Sequence, residues 1–285
     1  MVALQGYRNT KLCGCKYGAS VSSGNKGCLR SEIPFHAPCA YKGWITLIKD
    51  KKDILSPWAE HLQELLNQDN PVDQTIADQL PQLPIILELD TIPSIEEISA
   101  AANNLKKNNK APGHDDIPAE IFKYGGNLLL RRLHSFISNV WASNILPTQW
   151  KDANTIMIKK TKGDRAICGN SRGISLISVA GKLLGRVMLI RLLTFVVDTV
   201  VPKSQCGFRC ARSTTDMIFV ARLLQEKCRE QHRDLFIAFI DLTKAFDTVN
   251  RDLLWQVLGK FGCPPHFLSI LREFHFDVRD RKSVV

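Results

Sequence analysis

Residues 235–247 read Leu-Phe-Ile-Ala-Phe-Ile-Asp-Leu-Thr-Lys-Ala-Phe-Asp. The apolar run Leu235–Ile240 has strand length, is rich in aromatic and branched side chains, and is bounded by charged residues on both sides. Such a run predicts a short strand that is buried on both faces. We therefore expect the rest of the chain to pack around this strand.

The carboxylate of Asp241 follows the predicted strand directly. An ionised carboxylate next to apolar surroundings needs compensation, and a hard cation such as Mg²⁺ supplies it through one or two carboxylates plus phosphate oxygens. Asp241 is thus a candidate metal ligand. The same pattern also fits an Asp that caps the turn after the strand, and both readings stay open at this level.

The sequence from Phe239 to Asp247 resembles the first catalytic motif of reverse transcriptases from retrotransposons that lack long terminal repeats (LINE-like elements). The resemblance extends in order over roughly residues 53–275. Its other blocks are Ala111-Pro112-Gly113, Ile117-Pro118-Ala119-Glu120, Arg172-Gly173-Ile174-Ser175-Leu176, Gln205-Cys206-Gly207-Phe208-Arg209, Arg212-Ser213-Thr214-Thr215-Asp216 and Phe261-Gly262-Cys263-Pro264.

The resemblance implies an RNA-directed DNA polymerase that uses an RNA template, a DNA primer, deoxynucleoside triphosphates and Mg²⁺. Asp241 would be its catalytic, metal-binding carboxylate, with Leu242 and Phe246 at the nucleotide. The aromatic ring of Phe246 would lie against the sugar; the alternative is a core phenylalanine beneath the strand. The expected fold is α+β and helix-rich: right-hand polymerase fingers plus the first part of the palm, with an incomplete small antiparallel sheet.

Basic residues flank a predicted hairpin. Residues 152–160 form a strand candidate that ends at Lys159 and Lys160, and Arg172 follows a polar loop. The family's fingers present a Lys and an Arg to the incoming nucleotide, which matches Lys159 or Lys160 together with Arg172. Arginine suits this role because its planar fork donates two parallel bonds to phosphate oxygens. Surface charges on an ordinary loop are the alternative.

A second basic group lies on the helix predicted over residues 180–197, where Lys182, Arg186 and Arg191 are four or five residues apart. Such a stripe could follow the template backbone or form an ordinary solvated face. The family places the next block beside the template and the nucleotide pocket. The template candidates are Lys182, Arg186, Gln205, Gly207, Phe208, Arg209 and Arg212. The following helix, roughly residues 214–231, is predicted to bury Met217, Val220, Ala221 and Leu224.

The net charge of +10 is unevenly distributed. Lysines and arginines number nine against three acidic residues in residues 1–55, none against nine in residues 56–100, and 29 against 16 in residues 101–285. A basic excess in the polymerase-like part fits phosphate contact, although a solvated basic face has the same composition. No apolar run approaches the length of a membrane span, and no secretory signal is evident, so we expect a nuclear or cytoplasmic protein.

Three segments are expected: an N-terminal extension over 1–52 that is predicted to be disordered, a helical lead-in and connector over 53–110, and a partial reverse transcriptase domain over 111–285. The nine cysteines are expected to be free thiols in a reducing compartment. Cys13, Cys15, Cys28 and Cys39 do not have a standard zinc spacing.

Two elements of the family's palm are expected to be missing: a Gln-Gly block and a strand hairpin that bears an aromatic-Ala-Asp-Asp sequence. No Ala-Asp-Asp occurs in the sequence, whereas two-metal catalysis needs carboxylates from a second strand. The sequence is therefore interpreted as a truncated reverse transcriptase: a polymerase fragment that is inactive alone. The alternative is a non-catalytic nucleic-acid-binding remnant.

Overall fold

The computed structural model describes residues 58–64, 75–105, 111–161, 167–209, 211–242 and 245–280. Its α-helices are α1 (residues 58–64), α2 (Thr75–Asp78), α3 (Ile95–Asn103), α4 (Ala119–Tyr124), α5 (Gly126–Ser143), α6 (Thr148–Lys151), α7 (Val179–Leu192), α8 (Asp198–Val200), α9 (Thr214–Glu230), α10 (Arg251–Lys260) and α11 (Pro265–Glu273). Short 3-10 helices lie at Leu87–Asp90 and Cys168–Asn170, and a π-helical turn, Leu193–Val197, continues α7. The predicted α+β, helix-rich class is confirmed.

Helix starts follow the capping residues that the sequence displays. Ser94 and Glu97 form a capping box at α3, and Ser213 and Asp216 form one at α9. The Asn250 side chain accepts a hydrogen bond from the Leu253 amide at the start of α10. Each cap satisfies backbone donors that a helix start leaves unpaired, which is why these boundaries are readable from local sequence.

The sheet confirms the predicted hairpin. Strands β1 (Asp152–Lys159) and β2 (Ser171–Ile177) pair antiparallel, with Ile156 opposite Ile174 and Ile158 opposite Arg172. A two-residue strand β3, Arg279–Asp280, adds to the other edge of β1 in parallel, giving the order β2-β1-β3. A small sheet among many helices results, as the sequence predicted.

The core lies between α3, α5, α7 and α11. Its fully buried members include Ile98, Ile137, Leu184 and Phe267. Trp141 is 2% exposed, and its ring meets Phe267 edge-on with centroids 6.1 Å apart. Burial of such aliphatic and aromatic side chains stabilises the fold by about 1.5–3 kcal/mol each. The segment 75–105 thus shares one core with the later helices; the division of the chain into three segments stays a prediction.

The basic stripe on α7 is not a surface feature. Arg186 is 3% exposed and Arg191 is 5% exposed. In this structure these two side chains therefore form neither a solvated face nor a surface that could follow a template. Arg191 donates two hydrogen bonds of 2.7 Å to the Glu97 carboxylate, and others to backbone carbonyls of residues 89–92. It also lies over the Trp141 ring, 5.5 Å from its centroid. Arg191 therefore ties α7 to the start of α3.

The prediction of a buried strand over Leu235–Ile240 is wrong. These residues form no helix or strand, and Phe236, Phe239 and Ile240 are 91%, 92% and 84% exposed. None of the backbone hydrogen bonds among the described residues involves this segment. A strand is stable only when a neighbour pairs with its backbone and covers its side chains, and the described residues contain no such neighbour for it.

The burial predicted for α9 is also wrong, although its bounds are close to those expected. No residue of the helix is buried. Met217, Val220 and Leu224 are 47%, 48% and 52% exposed, and Ala221 is exposed as well. The apolar face of α9 and the apolar segment 235–242 are thus both uncovered in this structure.

The Ala-Pro-Gly loop packs against the junction of β2 and α7. A Cβ atom added to Gly113 would lie 2.6 Å from the Ile177 carbonyl carbon, so only glycine fits. Nearby, the Ser178 hydroxyl donates to the Asp115 carboxylate over 2.6 Å. Asp116, where the family commonly has glycine, adopts φ +53°. This left-handed conformation is one that Asp tolerates better than most residues.

Across the ranges that the structure describes, no helix has both the length and the apolar character needed to cross a bilayer. Cys168, Cys206, Cys228 and Cys263 are free thiols. Cys13, Cys15, Cys28 and Cys39 lie outside the described residues, as does the whole N-terminal extension. Burial raises the pKa of the Cys263 thiol to about 11, so it is un-ionised and chemically inert.

Candidate functional site

The β1–β2 hairpin positions the first group of predicted site residues. Ile158 pairs with Arg172, so these two side chains share one face of the sheet. A bond from the Lys160 amide to the Asn170 carbonyl continues the ladder by one residue. Lys160, two residues beyond Ile158, therefore shares the Arg172 face, whereas Lys159 belongs to the opposite face.

The three cations differ in exposure and partners. Lys159 and Arg172 are exposed, and Lys160 is half-buried. The Lys160 ammonium donates a hydrogen bond of 2.9 Å to the Gly169 carbonyl. This bond holds the aliphatic part of the Lys160 side chain along the hairpin. An exposed Arg172 beside an anchored Lys160 makes this face of the hairpin a cationic surface suited to phosphate oxygens.

The loop after α8 carries the second group. Arg209 donates hydrogen bonds of 3.1 and 3.0 Å to the carbonyls of Val201 and Pro202, which closes the loop on itself. Phe208 has φ +59° and is 70% exposed. A bulky side chain at positive φ costs free energy and places an aromatic ring where solvent or a ligand meets it. Gln205 and Gly207 are exposed beside it.

Phe208 contacts the other predicted aromatic of the site. Its ring meets that of Phe246 nearly perpendicularly, at 86°, with centroids 5.8 Å apart. A cavity of about 360 Å³ lies on the same loop and is lined by Leu193, Val197, Val201, Pro202, Gln205, Gly207, Phe208 and Arg209. The structure thus joins a predicted template residue, Phe208, to a predicted nucleotide residue, Phe246.

The remaining basic candidates are dispersed. Arg212 is exposed next to the α9 cap, while Arg186 is buried within α7. Lys182 is half-buried: burial lowers the pKa of its ammonium group, and the Asp115 carboxylate opposes that shift. Only Arg212 of these three is therefore placed where a polyanion could reach it freely.

Asp241 stands at the end of the exposed segment, and Leu242 beside it is 70% exposed. Within the described ranges, no group of three or more His, Cys, Asp and Glu residues could hold a metal ion. Reverse transcriptases generally use divalent metal ions, and one exposed carboxylate does not make such a site. The residues described here do not fit a resident Mg²⁺.

Sequence reasoning missed two features of this site. The cavity wall includes Leu193 and Val197 of the π-helical turn, and no local signal in the sequence marks that turn. The contact between Phe208 and Phe246 joins residues 38 positions apart. Nothing in the sequence indicated this contact beyond the presence of one aromatic residue in each of two separate motif blocks.

The sequence model described as "Reverse transcriptase (RNA-dependent DNA polymerase)" matches residues 158–284, a range that begins in β1 and includes both groups of site residues. Residues 158–284 thus match the reverse transcriptase family, which confirms the resemblance found in the motifs.

Similar proteins come from LINE-like mobile elements. The chain is 26% identical over 256 residues to the RNA-directed DNA polymerase from mobile element jockey of Drosophila melanogaster, covering 85% of this chain and 27% of that protein. It is 27% identical over 263 residues to the probable RNA-directed DNA polymerase from transposon BS of the same fly, covering 88% and 28%. It is 26% identical over 236 residues to the transposon TX1 uncharacterized 149 kDa protein of Xenopus laevis, covering 81% and 18%. The chain therefore spans only 18–28% of the length of these relatives.

Proposed function

We propose that this chain supplies the nucleotide- and template-facing half of an RNA-directed DNA polymerase and does not polymerise by itself. In the complete enzyme, Lys160 and Arg172 would contact the triphosphate of the incoming deoxynucleotide. Phe246 would lie against its sugar, with Phe208 behind it. The Phe208–Phe246 contact carries this proposal, because it joins the two motif blocks that the family assigns to template and nucleotide.

The catalytic step explains the expected inactivity. Nucleotidyl transfer to a primer hydroxyl needs two Mg²⁺ ions held by several carboxylates. Asp241 is exposed and belongs to no acidic cluster among the described residues. Its role as a metal ligand therefore depends on further carboxylates that do not lie beside it among the described residues, consistent with the absence of Ala-Asp-Asp.

Primer extension tests the proposal. The purified chain, its Asp241→Ala variant and a reverse transcriptase as positive control are incubated with a DNA primer on an RNA template, Mg²⁺ and labelled deoxynucleotides. We expect the chain and the variant to give the same background. Incorporation by the chain that clearly exceeds that of Asp241→Ala would disprove the claim of inactivity.

A second function is favoured by the exposure of Lys159, Arg172 and Arg212: binding of single-stranded nucleic acid without catalysis. Such contacts release condensed counterions, so affinity falls by about 0.7 log units per log unit of salt for each phosphate neutralised. Fluorescence anisotropy with two unrelated RNA sequences measures that slope. We expect equal affinities and a slope that is shallower in an Arg172→Gln, Arg212→Gln variant; no binding at low salt would eliminate this function. A nuclear or cytoplasmic location belongs to the same proposal.

A further inference from the structure

Helices α10 and α11 form a helical hairpin, joined by the four residues 261–264 with Gly262 at φ +87°. The open end of this hairpin, where α10 begins and α11 ends, bears a cavity of about 480 Å³. The lining side chains that matter here are Arg251, Asp252, Trp255, Arg272, His275 and Phe276. The sequence motifs assign none of them a role.

The rim of the cavity is cationic. Arg251 and Arg272 are both exposed, and within the described part of the chain neither guanidinium forms an ion pair. Glu273, adjacent to Arg272 in sequence, already pairs with Lys151 at 2.6 Å. Arg251 is also the first residue of α10, where the helix dipole favours an anion. Two guanidinium groups facing one cavity bind the oxygens of a phosphate.

Aromatic rings form the remaining wall. The rings of Trp255 and His275 meet edge-on with centroids 5.2 Å apart, and Phe276 is 69% exposed. The His275 ring is neutral, because burial lowers its pKa to about 4. Its Nδ1–H donates to the Leu271 carbonyl over 2.9 Å, which makes Nε2 the acceptor nitrogen of the ring. An exposed Phe ring in the same cavity as the Asp252 carboxylate suits a flat heterocycle that carries N–H groups.

We propose that the open end of the α10–α11 hairpin binds a nucleoside phosphate, with Arg251 and Arg272 on the phosphate and Phe276 on the base. The Asp252 carboxylate is available to the N–H groups of the base. The site is separate from the β1–β2 hairpin and from the Phe208 loop. Its ligand is either a free mononucleotide or one residue of a single-stranded nucleic acid, since both carry a phosphate group and a base.

Two measurements on the full chain test the site. Titration calorimetry with uridine 5'-monophosphate and with inorganic phosphate measures the free ligands. An octanucleotide that contains 5-bromouridine is then crosslinked by light, and the attached peptides are mapped. The variants are Arg251→Gln, Arg272→Gln together, and Phe276→Ala alone. The matched control is Arg222→Gln, Arg229→Gln on α9, which removes the same charge from two exposed arginines elsewhere.

We expect crosslinks within residues 251–280 that fall at least fivefold in the Arg251, Arg272 variant. They should be retained in the α9 control and in Arg172→Gln, which separates this site from the proposed polymerase surface. Phe276→Ala should weaken binding of the nucleotide and the oligonucleotide at least threefold and leave phosphate unaffected. Nucleotide binding at least tenfold tighter than phosphate identifies a mononucleotide site; binding of the oligonucleotide alone identifies a single-strand site.

Three results would overturn the proposal. The first is crosslinking confined to other parts of the chain. The second is unchanged binding in the Arg251, Arg272 variant. The third is phosphate binding as tight as nucleotide binding, because the aromatic wall would then have no role. Because Arg251, Arg272 and Phe276 are exposed, these substitutions should leave the fold intact, which circular dichroism checks.

Discussion

Helices α5 and α9 are nearly the same length, 18 and 17 residues, and both present apolar side chains at helical spacing. Helix α5 buries Leu133, Ile137, Val140 and Trp141 against α3 and its neighbours, whereas α9 buries no residue. An amphipathic pattern therefore predicts that a helix forms and which face is apolar. It does not predict that another element covers that face, because the covering surface is encoded elsewhere.

The same contrast holds for the two strand-like segments. Residues 152–159 pair with β2 over their whole length, while residues 235–242 remain exposed. The chain thus has a packed part, built on α3, α5, α7 and α11, and an uncovered part, residues 214–242. The four predictions below test that difference.

The largest effect is expected at Arg191 in the packed part. Arg191→Met removes the partner of Glu97 and leaves the carbonyls of Leu89 and Thr91 without this donor. Breaking a buried ion pair by removing one partner costs about 3–5 kcal/mol of unfolding free energy. Urea denaturation measures it. The control Arg222→Met on exposed α9 should change the free energy of unfolding by less than about 0.5 kcal/mol. Equal losses of stability at both positions would contradict the division of the chain into a packed part and an uncovered part.

The next comparison is one leucine truncation in each part. Leu184 is 0% exposed and Leu224 is 52% exposed. Leu184→Ala should cost about 2–5 kcal/mol, through lost burial and the cavity left behind. Leu224→Ala should cost less than about 1 kcal/mol, because water already reaches the side chain. Thermal or urea unfolding checks both, and a large loss at Leu224 would show that α9 is covered in solution.

The pH dependence of stability should report His275. Burial, with a smaller contribution from the Arg251 charge, lowers its pKa to about 4, below the ordinary value of about 6.5 in the unfolded chain. As pH falls through this window, the unfolded state takes up the proton first. His275 therefore opposes folding increasingly, by up to about 3 kcal/mol near pH 4. The loss between pH 7 and pH 4 should be smaller in His275→Gln; an identical profile would rule out this assignment.

The smallest stability effect is expected in the exposed segment. Phe239 is 92% exposed, so Phe239→Lys should change unfolding free energy by less than about 0.5 kcal/mol. It should instead reduce self-association, because an unpaired apolar strand is a template for pairing with other chains and a charge blocks that pairing. Sedimentation at several concentrations measures this. Equal association of both proteins would mean that another surface is responsible.

Short sequence patterns predicted local structure better than they predicted the core. The hairpin that carries Lys160 and Arg172, the left-handed turn at Asp116 and the Asn250 cap all follow from residues a few positions apart. The reverse transcriptase resemblance likewise came from short ordered blocks. The sequence predicts the fold to be organised around the stretch 235–247, but residues 235–242 of that stretch are exposed in the structure.

The sequence by itself determined the local structure, namely the helix starts at Ser94 and Ser213 and the β1–β2 hairpin, and it showed the resemblance to reverse transcriptases. Capping bonds, turn conformations and alternating side chains involve neighbours that the sequence places within a few residues. Only the tertiary structure decided that Arg186 and Arg191 are buried, that α9 and residues 235–242 are exposed, and that Phe208 contacts Phe246. Burial depends on whether distant segments supply a complementary surface, and no local pattern encodes that surface.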